Sequence, residues 1–95
     1  MTGEEKTAAI LEIHALKARY FRTMDMKDWA GLEAVFAPDL VADFRAATDE
    51  WNEAMLIQGA SAYVAQLAPM LEQVCTVHHG HMPEIRVEDD DHASG

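Results

Sequence analysis

The sequence predicts an α+β fold, and three observations carry that expectation. Apolar residues recur at helical spacing over residues 4–25, short strand-like runs appear after Pro38, and helical patterns come first with mostly antiparallel strand patterns following. Ninety-five residues suffice for one domain, 1–95, near the lower end of what buries a comfortable core. A hydrophobic content of 49% argues for a folded chain, because it supplies enough apolar surface to offset the entropy of ordering.

Each element has its own signal. Thr2 with Glu5 three places on fits a capping box at the start of the first helix. Along that helix Ala9, Ile10, Ile13, Leu16, Tyr20 and Met24 share one side, and Leu11, His14, Ala18 and Phe21 form a second apolar flank. The apolar arc covers more than half the circumference, so the helix is expected to be cradled by a concave surface. Lys17 falls inside the arc, where only its stem is suited to burial. Asp28 can cap a second helix running to Phe36, with Trp29, Leu32, Val35 and Phe36 inward, and Ala37-Pro38-Asp39 breaks it. "LVADF" (40–44) and "EAMLIQ" (53–58) read as strands, and "ASAYVAQLA" (60–68) as a helix that stops before Pro69. "VCTVHHGHM" (74–82) and "EIRVE" (84–88) complete the strand set, with a turn at Asp89–Asp91.

The composition excludes several functions. Seventeen acidic against seven basic residues give a net charge of −10, which disfavours a phosphate backbone or an anionic membrane surface as partner. Neither nucleic acid nor membrane is expected. The polar start "MTGEEKT" has no apolar core of a signal peptide, and no apolar run approaches the roughly 18 residues of a membrane span. A single cysteine, Cys75, allows no internal disulfide and points to a cytoplasmic setting.

The candidate chemistry gathers in a few residues. On a straight strand Thr76, His78 and Gly80 share one face, while Val77, His79 and His81 share the other. Three imidazoles split in this way cannot converge on one ion, so no metal site is expected. Taken alone, His78 reads as a core histidine with satisfied nitrogens, and Gly80 beside it as a place of close approach. Asp25 is either a carboxylate within the apolar arc, in need of donors, or a solvated residue of the "DMKDW" turn. Tyr20 is either core or a hydroxyl donor. The six methionines read as gap-fillers, and Cys75 as buried and inert.

"YFRTMDMKDW", "FAPDLV" and "HHGHMPEI" together resemble the SnoaL-like group of the nuclear-transport-factor-2-like superfamily. Within that group the resemblance is to the branch of bile-acid 7-alpha-dehydratase and scytalone dehydratase, over most of residues 10–95. It implies a cone: a strongly curved, mostly antiparallel sheet wrapped around the long first helix, with a small hydrophobic substrate inside. Family members continue with further strands, so the sheet is expected to lack its last strands and the domain to be C-terminally incomplete.

By position, Tyr20, Asp25 and His78 match the dehydratase residues that bond a substrate oxygen, orient the imidazole and abstract the proton. The resemblance therefore implies a dehydratase or isomerase acting on a small steroid-like or polyketide-like ketone, with no cofactor. A non-catalytic ligand-binding or dimerisation module of the same fold is the alternative. A homo-oligomer is expected, because an unpaired strand edge and a half-covered helix invite association.

Overall fold

The computed structural model describes residues 1–95. Helix α1 spans Gly3–Asp25, and its capping box forms in both directions: Thr2 Oγ1 accepts from the Glu5 N–H (3.1 Å), and Glu5 Oε1 accepts from the Thr2 N–H (3.3 Å). At its other end the chain reverses through Lys27, which adopts φ 57°. The Asp28 N–H donates to the Thr23 carbonyl (2.8 Å) and the Lys27 N–H to the Met24 carbonyl (3.1 Å). This is a Schellman closure with lysine where glycine is usual. Asp28 then caps α2 (Trp29–Val35), its Oδ1 accepting from the Gly31 N–H at 3.0 Å.

Strands β1 (Val41–Asp43) and β2 (Leu56–Gln58) pair antiparallel with Ala42 opposite Ile57, and a 3-10 turn at Glu53–Met55 leads into β2. Helix α3 runs Ala60–Leu71, past Pro69. Pro69 lacks an N–H and restricts the residue before it. Leu67 and Leu71, one turn apart, nevertheless both pack on the core, and that contact carries the helix through. Strands β3 (Arg86–Val87) and β4 (Ala93–Ser94) form a second antiparallel pair closed by the aspartate turn.

The core lies where the end of α1 meets α2, β2 and α3. Met24, Leu32, Ile57, Tyr63 and Val64 form it, with Tyr20, Trp29 and Phe36 packed around them. Leu32 is fully buried.

The structure is α+β, with a long N-terminal helix and small antiparallel sheets. Besides the end of α3, which was expected before Pro69, three expectations are corrected. Residues 74–82 form no ladder; they run as irregular chain, held to α1 by side-chain bonds instead of strand partners. The arc of α1 is not cradled along its length, since only Thr23 and Met24 of the helix are buried and Leu11 is 61% exposed. Cys75 is exposed, because its segment joins no sheet.

Candidate active site

Asp25 is in the last turn of α1, where the helix dipole disfavours negative charge. Three donors from the 76–78 segment compensate. The Thr76 hydroxyl donates to Asp25 Oδ1 at 2.8 Å, the His78 N–H to Oδ2 at 2.9 Å, and His78 Nδ1 lies 2.5 Å from Oδ1. The backbone N–H of His78, followed by its imidazole, holds the Asp25 carboxyl down at about 2 against the opposing effect of burial. An ionised carboxylate only accepts, so the proton between the pair belongs to Nδ1, which leaves Nε2 as the nitrogen available for proton exchange. No protein group bonds Nε2, and the His78 side chain is 34% exposed. The arrangement is an imidazole oriented through Nδ1 with its Nε2 free of protein partners.

Two residues of this site were not singled out from the sequence. Phe21 stacks on the His78 ring with centroids 5.5 Å apart and planes 9° from parallel. Thr76 supplies the third donor. Both carried a positional signal: Phe21 is one helical turn before Asp25, and Thr76 shares the strand-like face of His78. Gly80 accounts for the close approach, since a Cβ there would stand 2.5 Å from Phe21 Cε2.

Tyr20 is placed differently. Five residues from Asp25, it points about 140° around the helix from it, and its hydroxyl bonds neither Asp25 nor His78. Its ring meets Phe21 edge-on at 5.7 Å and Phe36 at 5.8 Å. Tyr63 is its other neighbour. Burial, and then the nearby Tyr20 hydroxyl, push the Tyr63 phenol up to about 12.

A match to the sequence profile of the SnoaL-like domain covers residues 5–95. The chain belongs to the SnoaL-like domain family. It is thereby a member of the nuclear-transport-factor-2-like superfamily. In this SnoaL-like domain the oriented pair spans the joint between the first helix and the histidine-rich segment. His79 and His81 stack on each other, with centroids 6.1 Å apart, and neither bonds Asp25. No three His, Cys, Asp or Glu side chains converge in a geometry that would hold a metal ion. No helix is long and apolar enough to cross a membrane.

Proposed function

We propose that this SnoaL-like domain binds a small hydrophobic ketone, steroid-like or polyketide-like, and eliminates water from it, with His78 as the base. The family includes isomerases and dehydratases, and its domains bind small molecules. The observation that supports the reading is the Asp25–His78 pair, 2.5 Å apart with Nε2 open. Nε2 takes a proton from the carbon next to the carbonyl. The electron pair left behind forms the carbon–carbon double bond as the β-hydroxyl departs, and the imidazolium returns its proton to that leaving oxygen. Asp25 holds the tautomer and stabilises the transient imidazolium. Tyr20 donates to the carbonyl oxygen as charge develops there. On a β,γ-unsaturated ketone without a leaving hydroxyl, Nε2 takes the α-proton, the double bond shifts into conjugation, and the imidazolium returns the proton to the γ-carbon, which is an isomerisation. The reading includes a curved sheet closing into a cone around α1, with β1–β2 and β3–β4 as two of its ladders, and a homo-oligomeric state.

Dehydration of β-hydroxy ketones, followed by enone absorbance, tests it. His78→Ala is expected to lose about 10²–10⁴-fold in turnover, the usual contribution of an acid–base group. Asp25→Asn should lose less, Tyr20→Phe should weaken stabilisation of the oxyanion, and His79→Ala and His81→Ala should change little. Undiminished turnover in His78→Ala would end the assignment.

A second reading is a non-catalytic binding or dimerisation module, favoured by Phe21 rather than Tyr20 facing the imidazole. Asp25 then serves as an anchor fastening residues 76–78 to α1. In that case no β-hydroxy ketone is turned over, and His78→Ala changes stability alone.

A further inference from the structure

The Asp25 carboxylate accepts at both of its oxygens. Oδ2 takes the His78 backbone N–H at 2.9 Å, and Oδ1 takes His78 Nδ1 at 2.5 Å together with the Thr76 hydroxyl at 2.8 Å. Two of the three donors belong to one residue and move with it. Thr76 supplies the independent tether, and its hydroxyl proton is committed to Asp25.

The local chain makes that tether necessary. Residues 74–82 join no ladder, so no strand partner fixes the setting of Thr76 or His78. Both are nevertheless half-buried, while Val77 between them is 72% exposed. An aspartate has a broad, roughly two-fold preference at χ2, so its own backbone does not set the plane of its carboxylate. The Thr76 hydroxyl on one lone pair of Oδ1 and the His78 N–H on Oδ2 together set that plane. The second lone pair of Oδ1 is then directed at Nδ1. In a neutral histidine such a bond decides which ring nitrogen carries the proton.

We infer that Thr76 is a positioning residue: by fixing the plane of the Asp25 carboxylate, it keeps the proton of the neutral His78 ring on Nδ1 and leaves Nε2 free. No hydrogen bond joins Thr76 to the ring, so it acts through Asp25. The inference concerns the free protein, and it rests on the dehydratase reading only for its effect on turnover.

Nitrogen-15 NMR of the full chain at alkaline pH, where an imidazole is neutral, reads the tautomer of His78 without substrate. The wild type is expected to show a protonated Nδ1 and an unprotonated Nε2. Thr76→Val keeps the branched shape and removes the donor, so its two ring-nitrogen shifts should move towards each other as both tautomers become populated. Thr76→Ser restores a hydroxyl and should return the wild-type pattern. A merely structural Thr76 would leave the tautomer of folded Thr76→Val unaltered. With a β-hydroxy ketone as substrate, Thr76→Val should lose about tenfold in kcat with KM nearly unchanged, the scale of one hydrogen bond to a charged group. A protonated Nε2 in the wild type would overturn the inference, and that measurement needs no variant to fold. Unmoved shifts in Thr76→Val, a Thr76→Ser pattern matching Thr76→Val, or an undiminished kcat in Thr76→Val beside an active wild type would each overturn it as well. The expected shifts in a wild type and variants that turn nothing over would support the role of Thr76 and sink the dehydratase reading alone.

Discussion

Asp25 accepts hydrogen bonds from Thr76 and from both the backbone and the ring of His78, and this has a measurable consequence for acid stability. A carboxyl held below its unfolded value contributes stability that is complete above the unfolded pKa and lost as pH falls through the folded one. For Asp25 the window runs from 3.8 down to about 2. Asp43, lowered to about 2 by the Arg45 side chain, titrates in the same window, so Asp25→Asn should flatten the acid limb of stability without abolishing it. Urea unfolding of both proteins between pH 2 and pH 6 measures this, and superimposable limbs would contradict it. Gly80 offers a second check at this scale. A methyl group there must displace the Phe21 ring, so Gly80→Ala should shift the His78 ring resonances and lower turnover while the fold persists. Unchanged His78 resonances would show that the stacking does not depend on Gly80.

Among the elements, the joint between α1 and α2 determines how the site is presented, because it terminates the helix immediately after Asp25. Lys27 occupies a left-handed conformation that costs a side-chain-bearing residue about 1 kcal/mol or more. Lys27→Gly is therefore expected to raise stability by about 0.5–1 kcal/mol once the greater flexibility of glycine in the unfolded chain is counted. Asp28→Ala removes the cap on Gly31 and should cost about 1 kcal/mol. Denaturant midpoints for the two variants should move in opposite directions, and a shared direction would show that the joint is not held by these two features. The Asp28 cap was legible from residue type and position. The left-handed Lys27 was not, because lysine carries no turn signal and its conformation is imposed by the two carbonyls that the closure satisfies.

For the molecule as a whole, the small core sets the expectations. Eight residues are buried, so each contributes a large share of the stability. Leu32→Ala, at a fully buried position, should cost about 2–5 kcal/mol and remove much of the cooperative transition. The radius of gyration, 15.1 Å, exceeds the roughly 12 Å of a compact chain of this length. Leu11, Val77 and Trp51, each more than half exposed, leave apolar surface on the outside. Sedimentation should accordingly show an average mass that rises with protein concentration, and a monomer unchanged over that range would contradict the expectation.

The sequence by itself determined the features that depend on local chemistry. The capping box at Thr2, the helix to Asp25, the Asp28 cap, the pairing regions around Ala42 and Ile57 and the turn at the aspartates follow from spacing, side-chain hydrogen bonding and breaker residues within a few positions. Tertiary structure alone decided what depends on distant partners. Whether residues 74–82 join a sheet depends on available edges, and whether the arc of α1 is covered depends on how much chain packs over it. It also decided that α3 continues through Pro69, because the packing of Leu71 on the core outweighs the local penalty. That Phe21 rather than Tyr20 meets the imidazole depends on the direction in which the 76–80 segment crosses the helix. Local rules specify which side chains share a face; only the packed chain specifies what that face meets.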